Sequence, residues 1–397
     1  MRVGGSHLGY CTNIHPGESW DEIRANLGRY VPEVKRRVSP DAPFGLGLRL
    51  SCIAAQELSG PDALAEFEDF LRRESLYVFT INGFPYGPFH GTRVKEGVYL
   101  PDWRDEARLE YTNLLADLLA HWVPAGTGSG GSISTVPGAF RTAVAGAADS
   151  ERIAERLVRH VAHLVDLERR TGRRIVLALE PEPCCLLETV AETVAFFRDY
   201  LHCAAAATRL ARLTGLDPAA AARALRDHLG VCLDLCHAAV EFEDPVQCYA
   251  GLEAAGIAVA KIQVTAGLRI PRVSAESAGA LSRLDDGVYL HQVVERSADG
   301  LARFEDLGAA LASDGWRRRN SEWRVHFHVP VFLGALEGFA STQAFVREAL
   351  ALHCAHHRSP HLEVETYTWS VLPEGERRLP VEQAIARELE WVVEELS

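Results

Sequence analysis

The chain has no CxxC…CxxC framework: its nine cysteines are scattered and odd in number. That argues against a structural zinc or a disulfide scaffold. The sequence predicts reduced, mostly buried thiols in a cytoplasmic protein. Long apolar runs are missing as well. None approaches the ~20 residues of a membrane-spanning helix, and residues 1–9 lack the apolar core of a signal peptide. No membrane insertion is expected. Positive charge is scarce: 41 Lys and Arg stand against 54 Asp and Glu, a formal net charge of −13. Neither nucleic acid nor an anionic membrane would be drawn to such a chain over long range. No GxGxxG follows the first strand and no Walker sequence occurs, which disfavours dinucleotide and P-loop folds. No internal repeat is visible.

What remains is an ordinary globular composition, 397 residues with 47% hydrophobic and 24% charged. Short apolar runs alternate with longer helical patterns. Strands are expected at 7–13, 44–50, 76–81, 133–136, 174–179, 229–235, 257–264 and 362–367. Helices are expected at 20–37 behind a Ser19 cap, and at 61–73, 104–121, 150–170, 189–213, 218–229, 246–254, 342–356 and 381–396. Such alternation means parallel βαβ units. Eight principal strands give an α/β fold, a (β/α)8 TIM barrel forming a single domain over 1–397. Residues 268–332 are an insertion before the last strand, with a strand at 288–294, a helix at 301–311 and a strand at 324–332. A doubly wound sheet is the alternative.

One stretch focuses the functional argument: residues 231–237, Val-Cys-Leu-Asp-Leu-Cys-His. An Asp near the end of a buried strand is costly unless something pairs with it. His237 follows three residues later and can aim at the same point, as a metal ligand pair would. The bland alternative is a helix-capping Asp234 and a surface His237. In a barrel, the C-terminal strand ends surround one site. The polar residues there are Asn13, His15, Arg49, Asn82, Glu180, Glu182, Asp234, His237, Gln263 and Glu365, and the inserted strand adds His326 and His328. Several carboxylates cannot stay ionised together in a low-dielectric pocket without a cation. A divalent metal supplies it, and carboxylate with imidazole suits Mn, Zn, Co or Mg.

The expected ligands are therefore Glu180, Asp234, His237, Gln263, His326, His328 and Glu365. Glu180 and Glu365 are expected to double as the catalytic proton acceptors. Asn13, His15, Asn82, Glu182 and Trp369 are the candidate substrate contacts. Each has a duller reading. Glu180 could pair with Arg173, Glu363 competes with Glu365 on the same strand face, and His326 and His328 could be core histidines. Gln263 could bind substrate instead of metal. His353, His356, His357 and His361 fall at a helix end and the following loop, where cationic imidazole complements the helix dipole, so they read as a solvated surface.

These residues carry a resemblance. Glu180-Pro181-Glu182-Pro183 resembles the Glu-Pro-Lys-Pro of xylose isomerases, with Glu182 at the Lys position. Asp234-Leu235-Cys236-His237 resembles the Asp-x-x-His of sugar epimerases and endonuclease IV. His326-Phe327-His328 stands where that superfamily has Asp-x-His or Asp-x-Asp, and Glu365 is similar to its closing carboxylate. The resemblance implies a xylose isomerase-like barrel with one site from Glu180, Asp234, Gln263 and Glu365. It implies a second from Asp234, His237, His326 and His328. The runs 7–22, 82–91, 180–189, 326–332 and 363–369 also resemble the bacterial metabolite traffic protein EboE family. Gln263 replaces a charged residue of characterised relatives, the insertion is longer than theirs, and the missing Lys argues against xylose isomerase activity itself. Three functions follow in order: a metal-dependent isomerase or epimerase of a sugar or polyol-like metabolite, a two-metal phosphoester or amide hydrolase, and a non-catalytic metabolite-binding or transfer protein. All take a small-molecule partner, and the oligomeric state is open.

Overall fold

In a computed structural model of the chain, residues 1–90, 94–123, 130–285, 287–313, 315–318, 320–336, 338–367, 372 and 379–397 are described. Eight parallel strands form the centre: β1 (Ser6–Tyr10), β2 (Phe44–Arg49), β3 (Leu76–Asn82), β4 (Gly131–Thr135), β5 (Ile175–Leu179), β6 (Leu229–Asp234), β7 (Ala258–Val264) and β8 (His361–Val364). From β2 to β8 each pairs in parallel with the next, and β8 pairs with β1. The ring closes between β1 and β2 through a parallel bridge from Cys11 to Gly47. Helices follow the strands and cover the outside, as parallel pairing requires. The helix Trp20–Val38 shows the local logic. Ser19 and Glu22 form a capping box at its start, and Ile23, Leu27, Val31 and Val34 bury one stripe.

The barrel interior is unusually polar. Barrels of this type are normally filled by branched aliphatic side chains. Here Lys261 and Glu363 form an ion pair at 2.5 Å in the middle, both fully buried. Glu363 reaches across the barrel until its carboxylate occupies the space a side chain at position 47 would need. A Cβ on Gly47 would stand 1.4 Å from Glu363 Oε1, so glycine is required there. Beneath the pair, His361 Nδ1 meets Ser132 Oγ at 2.8 Å, and its ring faces His7 and Phe79. His361 and His353 are thus buried; His353 packs against Ser6 Oγ. The solvated-surface expectation fails for both because strand β8 begins at His361 and the helix turns His353 inward.

Between β7 and β8 lies a second sheet of six antiparallel strands. Its members are Ala266–Ile270, Val293–Ser297, Gly300–Phe304, Glu322–Val329, Ala335–Leu336 and Phe339–Ser341. The inserted sheet therefore spans 266–341, wider than the expected 268–332. The expected helix at 301–311 is instead a strand followed by the helix Leu307–Ala312. Gly300, at φ +112°, makes the tight hairpin that pairs Val293 with Phe304. The expected long helix at 189–213 breaks into Val190–Phe196, a wider turn Phe197–Leu201 and Ala204–Thr214. An unforeseen helix, Cys52–Leu58, is capped by Ser51.

Candidate metal centre

Three carboxylates meet at the C-terminal mouth of the barrel. Glu180 follows β5, and its N–H still bonds Thr135 O of the neighbouring strand at 3.1 Å. That fixes its backbone while its side chain turns inward. Asp234 ends β6. Its Oδ1 accepts the N–H groups of Cys236 at 2.7 Å and His237 at 2.9 Å, and Thr265 Oγ1 donates to both of its oxygens. Asp234 is thus a helix cap and a site residue together. Glu365 follows β8, and its Oε1 accepts from Asn13 Nδ2 at 2.5 Å and Asn82 Nδ2 at 2.8 Å. Glu180, Asp234 and Glu365 each present an oxygen within 4.8 Å of the others, and all are buried. Burial, reinforced by the neighbouring carboxylates, pushes Glu365 up to about 8 and Glu180 well above the usual carboxylate range.

Histidines stand beside this carboxylate floor. The strand Glu322–Val329 folds back over the barrel mouth and brings His326 Nε2 to 3.2 Å from His237 Nε2 and 3.3 Å from His328 Nε2. His237 Nδ1 lies 3.0 Å from Pro181 O, which only accepts, so Nδ1 carries the proton and Nε2 presents a lone pair. His326 Nδ1 bonds Gln292 Oε1 at 2.8 Å, which leaves its Nε2 bare in the same way. Burial and the neighbouring imidazoles hold His326 well below the usual histidine range, and burial holds His328 near 4 despite Asp234. Two bare nitrogens 3.2 Å apart repel each other. Two imidazoles sharing one tetrahedral ion, with bonds of about 2.0–2.1 Å, place their nitrogens about 3.3 Å apart. Asp234, His237 and His328 form a second group within 4.8 Å, and Glu182, His237 and His326 a third. Cys236 also groups with His326 and His328.

The residues fit a divalent cation. Glu180 Oε2 and both amide atoms of Gln263 are buried with no hydrogen-bond partner among the described residues. Gln263 pairs in register with Asp234 on one side and Glu363 on the other. Donors of this kind, carboxylate with imidazole, match Mn, Zn or Co, with Mg suited to the carboxylate floor.

Of the residues expected from sequence, Asn13, Asn82, Glu180, Glu182, His237, His326, His328 and Glu365 line one cleft. Asp234 lies beneath them, joined through the shared groups above. Gln263 lies below the cleft wall. His15 is not brought to the cleft. The short turn Thr12–Ile14 carries it outward, where its ring stacks on Tyr30 at 4.4 Å and Nε2 meets Tyr10 Oη at 3.0 Å. Trp369 lies outside the described residues. Sequence reasoning missed Thr265, which holds Asp234, and Tyr99, Lys95, Tyr289 and Tyr367, which complete the cleft. It also missed Gln292. No motif marks these residues, because each acts through distances between segments far apart in the chain. Glu363, the rival of Glu365, is occupied by Lys261 two residues deeper.

No family profile and no curated protein matches the chain. Solved structures do. A xylose isomerase-like TIM barrel protein from Mycobacterium smegmatis, in complex with magnesium, is 14% identical with a TM-score of 0.51, over 100% of this chain and 98% of that one. A probable 3-DHS dehydratase, AsbF, from Bacillus anthracis gives 13% identity and a TM-score of 0.45, over 97% of each chain. The zinc-bound IolI protein gives 12% and 0.44, over 98% of each. The fold is that of the xylose isomerase-like TIM barrels. Among the described residues, no helix is long and apolar enough to cross a membrane.

Proposed function

We propose that the protein is a metal-dependent isomerase or epimerase acting on a sugar or other polyol-like metabolite. The convergence of Glu180, Asp234 and Glu365 carries this reading. In it, Glu180, Asp234, Gln263 and Glu365 hold one divalent ion, and Asp234, His237, His326 and His328 hold a second. When bound, such an ion acts as a Lewis acid that acidifies a C–H beside a coordinated hydroxyl or carbonyl. The protein's own residues move the proton. Glu180 has an oxygen without a partner among the described residues, and burial beside Glu365 and Asp234 raises its proton affinity, as a group that takes up a proton requires. Glu365 is held in one orientation by Asn13 and Asn82, so it returns a proton at a fixed point. Asn13, Asn82 and Glu182 are placed to meet substrate hydroxyls from the cleft wall, with Trp369 as a further candidate.

The resemblance to the metabolite traffic protein EboE family supports a place in the movement of a small metabolite. Nine unpaired thiols support a reducing, cytoplasmic setting. A two-metal hydrolase is the second reading, favoured by Asp234 standing in both the carboxylate and the imidazole groups.

Elemental analysis of purified protein and solvent-deuterium incorporation into a sugar and polyol panel test the proposal. The expected result is bound divalent metal and deuterium exchange that Glu180→Gln cuts about 10²–10⁴-fold. Absence of bound metal, with no thermal shift on adding Mn or Zn, would overturn it. Water-dependent cleavage of phosphoesters or amides without exchange would favour the hydrolase.

A further inference from the structure

We infer that Gln292, in the inserted sheet, is a positioning residue of this site: it decides which nitrogen of His326 faces His237. The amide sits one way round. Its Nε2 lies 2.8 Å from Tyr99 Oη, 3.1 Å from Glu182 Oε1 and 3.3 Å from Pro183 O. A backbone carbonyl only accepts, so the NH2 group must face Pro183. Tyr99 Oη donates in turn to Glu182 Oε1 at 2.7 Å, which closes a ring of bonds around the amide. Gln292 Oε1 is then left facing His326 Nδ1 at 2.8 Å, and it too only accepts. His326 Nδ1 therefore carries the ring proton.

The backbone makes this pairing durable. His326 N–H donates to Gln292 O at 2.8 Å, continuing the ladder in which Val293 pairs with Val325. Gln292 is fully buried, which shields its amide from competing water. Without the lock, His326 would gain by moving its proton to Nε2. That proton would bond the bare Nε2 of His237, 3.2 Å away, and remove the repulsion between the two lone pairs. It would also close the ligand position. Gln292 thus holds the imidazole in its cation-binding tautomer, at the cost of repulsion when no cation is present.

The purpose of the lock rests on the metal reading above, but the tautomer belongs to the metal-free protein and is measured there. Long-range proton–nitrogen NMR on metal-stripped protein with nitrogen-15 histidine gives the protonated nitrogen of each ring. Loss of a signal in His326→Gln identifies His326. The expected result is protonation at Nδ1 in the native chain and transfer to Nε2 in Gln292→Leu. Zinc binding in that variant should weaken about 10–100-fold, the usual effect of losing a partner that orients a ligand. Tyr99→Phe keeps the Glu182 and Pro183 bonds and should leave the tautomer in place. A native His326 protonated at Nε2, or an unchanged tautomer in Gln292→Leu, overturns the inference. The Nδ1 tautomer in a native chain that binds no zinc overturns the metal reading and supports the positioning role.

Discussion

At the floor of the cleft, each carboxylate comes from the end of a different barrel strand, β5, β6 or β8. On the imidazole side, His326 and His328 share one strand of the inserted sheet, and His237 alone comes from the barrel. The floor is thus fixed by ring closure, which ties every strand to two neighbours. The imidazole side is fixed by how one antiparallel sheet docks. A few polar contacts hold it: Arg303 to Glu241 at 2.6 Å, Arg324 Nη1 to Ala239 O at 2.6 Å, and the Gln292 amide. The two halves should therefore fail differently. Damage to the floor changes chemistry at constant geometry, whereas damage to the roof changes geometry first.

The largest effect is expected where the halves meet. Asp234 belongs to both the carboxylate and the imidazole groups. Asp234→Asn keeps an oxygen for the Cys236 and His237 N–H groups, so the fold should survive with near-native circular dichroism. Metal binding should weaken by more than the roughly 10–100-fold that loss of an outer partner costs. Two ions retained at native affinity would refute the shared role.

Next come the single-half variants. Glu180→Gln should cut proton exchange about 10²–10⁴-fold. It should leave the metal-free protein about as stable as the native chain, because burial and the neighbouring carboxylates already disfavour the charged form of Glu180. His326→Gln should lower only the second metal equivalent. Calorimetric titration with Zn, beside denaturant curves of the metal-free proteins, separates the two. Identical losses of metal in both variants would show one site rather than two halves.

Glu388 gives a pH test of docking. It sits on the C-terminal helix Val381–Glu395 and accepts from Thr366 Oγ1, next to the floor, at 2.7 Å and from Val331 N, beside the inserted strand, at 3.1 Å. Burial raises its pKa from 4.5 to about 8. The native state therefore binds this proton more tightly than the unfolded state. The group's contribution is full below pH 4.5 and is lost as pH rises through 8, by roughly 1 kcal/mol per pH unit in between. Glu388→Gln should flatten that part of the stability–pH curve and raise stability at pH 8. Urea midpoints that shift in parallel across pH 4.5–8 would remove Glu388 from the account.

The same division explains what the sequence disclosed. The barrel was legible because strand and helix alternate with clear periods, and because each floor residue sits at the end of its own apolar run. Glu180, Asp234 and Glu365 could be placed together from topology alone. The inserted sheet was harder. Its strands pair antiparallel across long separations, and the strand Gly300–Phe304 overlaps the stretch 301–311 that reads as helix. The His326-Phe327-His328 alternation showed that two imidazoles share a face, but not what lay opposite. His15 lies away from the cleft for a local reason, since it follows the short turn Thr12–Ile14 and its ring packs on Tyr30 and Tyr10. The buried polar partners Thr265, Gln292 and Lys261 carry no local pattern at all, because their roles exist only across strands.

The smallest effect is expected at Lys95 and Asp306, which tie the segment after β3 to the inserted sheet at 2.6 Å. Lys95 is nearly buried and Asp306 about a quarter exposed, so the pair is weaker than a fully buried one yet less screened than a surface one. Asp306 Oδ1 also accepts the N–H groups of His291 and Leu307. Asp306→Asn keeps that acceptor and removes the charge; Lys95→Met removes the charge and keeps the stem. A double-mutant cycle on urea stability should give a coupling of about 0.5–1 kcal/mol, falling with salt. The roof's metal affinity should drop slightly in each single variant, and the floor's should not change. Zero coupling at low salt would mean that the sheet docks through its hydrogen bonds and apolar contacts alone. In that case the sensitivity of the imidazole half lies in Gln292 and Glu388, and this ion pair serves the cleft wall instead.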